Sequence, residues 1–131
     1  MKEKKIYTKK EVMAASLEYF NGDELAASTF INKYALKNKE GEYLEKTPDD
    51  MHDRLAKEFN RIENKYKNPK KEEDFKNSLD HFKYIVPGGS VMYGVGNPYV
   101  NVSLSNCIAL SSPSDSISGI FDKSKDMANL F

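Results

Sequence analysis

The chain has 131 residues, enough for one domain with a modest core. Twenty basic and twenty acidic residues cancel, which removes the overall basic field that would draw nucleic acid. No apolar run approaches the ~20 residues that span a bilayer, and the charged N-terminus lacks a signal-peptide core, so no membrane association and a cytoplasmic location are expected.

Thr8, with Glu11 three residues on, has the pattern of a capping box and opens a predicted helix that runs through Phe20. Val12, Ala15, Leu17, Tyr19 and Phe20 give this helix a broad apolar face. Asn21-Gly22 ends it, because both residues tolerate a left-handed backbone. Asp23 caps a second predicted helix over residues 24–36, with Leu25, Phe30, Ile31 and Tyr34 inward, and residues 38–41 form a turn.

Thr47-Pro48-Asp49-Asp50 is a strong helix start: a capping threonine, proline at the first helical position, then acids near the positive end of the dipole. Met51, Leu55, Phe59 and Ile62 share one face of this helix, which is predicted to reach Tyr66 before Asn68-Pro69 breaks it. The lysines between positions 65 and 71, like the basic residues at the N-terminus, read as solvated charge. A fourth helix over residues 71–84 carries Phe75, Leu79 and Phe82 inward. His52 and His81 fall on separate helices without a carboxylate–histidine pattern. They read as surface or boundary histidines, and no metal site is expected.

Residues 85–110, IVPGGSVMYGVGNPYVNVSLSNCIAL, change character. The stretch 87–98 is rich in glycine and proline and predicts a turn-rich loop. Gly94-Val95-Gly96 begins like a dinucleotide fingerprint, but Tyr99 stands where a third glycine belongs, and the absence of Gly-Lys-Ser/Thr excludes a P-loop. Residues 99–110 alternate with period two and predict the one strand, which carries Ser105, Asn106 and Cys107 towards its end. Cys107 is the only cysteine and forms no internal disulfide. It is either a buried packing residue or a thiol facing a substrate, and in two-electron redox chemistry its partner thiol must come from another polypeptide. A polar turn around Pro113 leads to a last helix over residues 116–130, with Ile117, Ile120, Phe121, Met127 and Leu130 apolar. That helix ends at Phe131 without a capping glycine, which reads as an interrupted protein.

The segments VPGGSVM (86–92), SLSNC (103–107) and DSISGIF (115–121), in this order and spacing, resemble the catalytic subunit of ribonucleotide reductases. The stretches 7–36 and 43–63 resemble the helical region that precedes the catalytic barrel there. The resemblance implies a mainly α fold with one strand and a Gly-rich loop: a helical region over 1–84, then over 85–131 the start of a ten-stranded α/β barrel. It implies an oxidoreductase that makes deoxyribonucleotides by radical chemistry. Cys107 on the first barrel strand would be one of a reducing cysteine pair, while Ser90 and Asn106 would contact the ribonucleotide substrate. Two residues depart from the common pattern, Val91 where many members have proline and Asn106 where serine is common; asparagine keeps both donor and acceptor.

Asp115, Ser116 and Ile117 match the start of the family's specificity-effector site, which binds a deoxynucleoside triphosphate near the dimer interface. The plainer reading makes Ser114 or Asp115 a helix N-cap. By the same resemblance this fragment holds no cofactor, the whole enzyme needing either adenosylcobalamin or a metal-bearing radical subunit. It is expected to be inactive alone, to be completed by the remaining part of the catalytic subunit, and to form an oligomer. The competing reading is a non-enzymatic helical module that engages a protein partner through its C-terminal helix.

Overall fold

The computed structural model describes residues 5–105 and 107–130. In chain order the helices are α1 (Lys9–Tyr19), α2 (Glu24–Lys33), α3 (Pro48–Glu63), α4 (Glu72–Leu79) with a 3-10 turn at Asp80–Phe82, α5 (Gly89–Gly94) and α6 (Ile117–Ala128). The predicted starts are where the caps fall. Glu11 accepts from the Thr8 amide at 2.8 Å while the Thr8 hydroxyl accepts from the Glu11 amide at 3.3 Å, closing the capping box of α1. Asp23 accepts from the Ala26 amide at 2.9 Å at the head of α2. Asp50 accepts from the Lys46 and Thr47 amides at 2.7 and 3.2 Å at the head of α3.

α1 packs on α2 and α3 on α4. Val12, Phe30, Ile31, Met51, Leu55, Leu79 and Val95 meet in a single core. Burying a side chain the size of Ile31 or Leu55 contributes roughly 1.5–3 kcal/mol. Ser16, itself fully buried, donates to the Lys46 carbonyl at 2.9 Å and ties α1 to the entry of α3. Tyr43 makes isolated antiparallel bridges to Tyr7 and Lys37, which pins the connection between α2 and α3 beneath the N-terminus. No helix among the described residues is long and apolar enough to cross a membrane.

Several expectations are corrected, each for a local reason. α2 ends at Lys33, not Leu36, because the Leu36 amide donates to the Glu45 carboxylate at 2.9 Å instead of continuing the helix. Leu25 is 77 % exposed: Ala27, Phe30 and Ile31 define the buried stripe, and Leu25 lies on the opposite side of the helix. α3 stops at Glu63, with Asn64 as its cap. α4 stops at Leu79, and His81 and Phe82 both take positive φ (48° and 55°). That reversal carries the Phe82 ring back onto His52, with centroids 4.6 Å apart.

The largest differences lie beyond residue 85. The glycine-rich stretch is not all loop: residues 89–94 form α5, whose Val91 and Met92, with Val95 just after, pack on the helical core. The strand expected over 99–110 is not formed, and no strand is present among the described residues. The alternating sequence is there, but a strand is held by its ladder and no neighbouring segment supplies one. Val102, Leu104, Ile108 and Leu110 are left substantially exposed. A barrel is therefore not seen among the described residues. α6 forms as expected, but its cap is Ser116, whose hydroxyl accepts from the Gly119 amide at 3.1 Å, and not Ser114 or Asp115.

Candidate functional site

Ser90 lies in the first turn of α5, and its hydroxyl donates to the Leu104 carbonyl at 2.8 Å. On the same helix a Cβ at Gly94 would collide with the Val102 side chain and touch Leu104, so residues 102–104 lie directly against α5. The hydrogen bond joins the VPGGSVM and SLSNC segments three residues before Cys107. Cys107 is a free, exposed thiol. Asn106 lies outside the described residues.

At the head of α6, Ser116 is occupied as the cap, and its hydroxyl is 3.2 Å from that of Ser114. Asp115 is exposed, and so is Ile117. Among the described residues no hydrogen bond or ion pair joins Asp115, Ser116 or Ile117 to Ser90 or Cys107.

A feature that sequence reasoning missed underlies α5. The side chains of Arg54 and Glu45 are only 8 % and 5 % exposed and form an ion pair, with Nε to Oε1 at 2.7 Å and Nη2 to Oε2 at 3.3 Å. Arg54 Nη2 also donates to the Met92 carbonyl at 2.9 Å, and Nη1 donates to the Val95 carbonyl. Gly96 follows with φ +69°, where a Cβ would stand 2.9 Å from Arg54 Cγ and 3.2 Å from its carbonyl oxygen. The sequence did carry a signal. Arg54 is three residues from Met51 and adjacent to Leu55, on the inward stripe of α3, where a charge is tolerated only with partners.

A second cluster gathers beside α3. Ligand-type atoms of Asp49, Asp80 and His81 all lie within 4.8 Å of one another, and His81 Nδ1 is 2.9 Å from Asp80 Oδ1. Asp80 and His81 are neighbours in the sequence, and folding brings Asp49 of α3 to join them. The His81 ring stacks on Tyr19 at 5.1 Å, and burial pushes the Tyr19 hydroxyl up to about 12, with Asp49 and Asp80 adding to it.

His52, expected at the surface or boundary, is 1 % exposed, and neither ring nitrogen has a hydrogen-bond partner among the described residues. Burial holds it below its ordinary value of 6.5 against the opposing pull of Asp49, Asp80 and Asp53. The unfolded chain therefore takes up this proton first as pH falls through about 6.5, and the folded chain only at lower pH. The resulting loss of stability on acidification should appear as a lower denaturant midpoint at about pH 5 than at about pH 7, with a flatter dependence in His52→Gln. His81 works in the other direction. Its hydrogen bond to Asp80 raises it, so its contribution is present below 6.5 and is lost as pH rises through the folded value. His81→Asn should accordingly steepen the acid-side loss.

Residues 20–99 match the family model described as "Ribonucleotide reductase, all-alpha domain". The match covers more than half of the chain and runs from the cap of α1 to Tyr99, so it includes α2 to α5 and the Arg54–Glu45 pair. It stops short of Cys107. No curated protein and no solved structure matches the chain.

Proposed function

Because the chain belongs to the family of the ribonucleotide reductase all-alpha domain, an N-terminal region of the reductase large subunit, we propose that it contributes Cys107 to the reduction of ribonucleotides. In this reading residues 1–84 are the helical region, 85–131 begin the catalytic barrel, and the rest of the catalytic subunit completes the site. The observation that carries it is the hydrogen bond from Ser90 to the Leu104 carbonyl, which puts the proposed substrate-contacting serine against the segment that leads to the thiol.

The chemistry explains why these residue types are needed. The ribose 2′-hydroxyl is a poor leaving group, and its replacement by hydrogen proceeds through a substrate radical, with water departing and two electrons supplied by a thiol pair. Cys107 supplies one thiol of the pair and ends as half of a disulfide. The other must lie outside these residues, since the sequence has one cysteine. Ser90 and Asn106 contact and orient the ribonucleotide, because radical chemistry demands a fixed geometry and exclusion of water. The radical itself comes from adenosylcobalamin or from a metal-bearing subunit, neither of which this fragment holds.

Asp115, Ser116 and Ile117 form the start of the effector site. Asp115 accepts from a ribose hydroxyl, and the free amides at the head of α6 face a phosphate. Asp115→Ala in the reconstituted enzyme should weaken deoxynucleoside triphosphate effector binding about tenfold, the scale of one hydrogen bond to a charged group, while basal turnover stays measurable. An unchanged effector response would leave Asp115 as a turn residue.

The exposed apolar side chains of α6, with Ile117 and Phe121 each at least 70 % exposed, favour the second reading of a binding module. Mixing the chain with the remaining part of a reductase catalytic subunit separates the two. Deoxyribonucleotide formation supports the first; a stable complex without product in the presence of radical generator and dithiol supports the second.

A further inference from the structure

We propose that Arg54, held by Glu45, is a positioning residue for ribonucleotide reduction: it fixes α5 on the helical region and thereby sets where Ser90 and the segment leading to Cys107 stand. The inference rests on the functional reading above, but its geometric basis does not. α5 has six residues, too few to persist without external support, and the carbonyls of its last turn have no partner within the helix. Arg54 supplies that support. Its guanidinium is oriented by two contacts to the Glu45 carboxylate, and its remaining N–H groups reach the Met92 and Val95 carbonyls.

The apolar contacts of Val91, Met92 and Val95 set which face of α5 meets the core, but soft side-chain packing leaves its position less sharply defined than directional bonds do. A planar fork with donors on two carbonyls supplies such bonds. Glu45 is fixed in turn, because its Oε2 also accepts from the Leu36 amide at 2.9 Å. Gly96 completes the joint by leaving no Cβ against Arg54 where the chain turns away from α5. A continuous tie therefore runs from α3 through Arg54 to α5, then through the Ser90 hydroxyl to Leu104, three residues before Cys107. A lysine at position 54 would keep the charge and lose the fork.

The test uses hydrogen exchange on the full chain and steady-state kinetics after reconstitution with the remainder of the catalytic subunit. It compares wild type, Arg54→Lys and the apolar double variant Glu45→Met/Arg54→Met, which removes the pair without stranding a charge. The amides of Met92, Val95 and Asn97, bonded to the carbonyls of Gly88, Val91 and Gly94, should exchange at least about tenfold faster in both variants, with α1 to α3 still protected. In the reconstituted enzyme kcat should fall about a hundredfold with a much smaller change in KM, the mark of a misplaced reacting group and not of lost binding. Unchanged protection at those three amides, or kcat at the wild-type level in the double variant, would overturn the proposal. If protection is lost as expected but the wild-type complex forms no deoxynucleotide, the functional reading fails and takes the catalytic role of Arg54 with it. If protection is unchanged and the wild-type complex turns over, the positioning claim alone fails.

Discussion

Cys107→Ser should abolish sustained deoxyribonucleotide formation by the reconstituted enzyme, limiting it to less than about one product per active site, while the melting temperature of the chain is unchanged. The two halves of this expectation have separate origins. In the proposed reaction each turnover removes two electrons from a thiol pair as it becomes a disulfide, and external dithiol must reduce that disulfide before the next cycle. Serine offers no comparable oxidation, so the cycle cannot close. Stability is unaffected because Cys107 is exposed, and substitutions at such positions usually stay within about 0.5 kcal/mol.

A buried packing cysteine would give the opposite pattern, with loss of stability and near-normal turnover. In this chain the thiol is exposed. The kinetic half is what tests the redox role. If the partner cysteine is where the reading requires, its Cα lies about 4.4–6.8 Å from that of Cys107 in the assembled enzyme, and oxidised wild-type complex carries one intersubunit or interfragment disulfide that the serine variant lacks. Sustained turnover by Cys107→Ser would remove the central assignment.

How far the sequence carried these conclusions follows from the range of the interactions involved. Helix starts were legible because caps are local: Thr8 with Glu11, Asp23 with Ala26 and Asp50 with Thr47 act over three residues. Helix ends were not, because distant groups decide them. The end of α2 depends on Glu45 taking the Leu36 amide, and the end of α4 on a reversal at His81 and Phe82 that seats a ring on His52. In residues 99–110 the period-two pattern was read correctly as a pattern, but a pattern does not provide a neighbouring strand. α5 was hidden because glycine argues for loop; what makes it helical is the docking of Val91, Met92 and Val95 together with Arg54. Likewise, the resemblance directed attention to Ser90 and Cys107 but not to Arg54, whose partners are nine residues back and about forty residues ahead.

The Arg54–Glu45 pair also carries the largest expected effect on stability. Arg54→Met alone should destabilise the chain by about 3–5 kcal/mol, because it leaves the Glu45 carboxylate in a site where it is shielded from water and has lost its counter-charge. Against a total stability of roughly 5–15 kcal/mol for a single domain, that is a large fraction. The Leu36 amide still donates to Glu45, so the loss should fall towards the lower end of the range. Adding Glu45→Met should recover part of it, since an apolar pair of similar volume pays no charge-desolvation penalty, while the Leu36 amide loses its acceptor. The measurement is the urea midpoint of the full chain for wild type, the two single variants and the double variant, at constant denaturant slope. A strong positive coupling between the two sites is the expected outcome of this cycle. A single Arg54→Met variant within about 0.5 kcal/mol of wild type would mean that Glu45 reaches solvent, and that the tie between α3 and α5 rests on the apolar contacts alone.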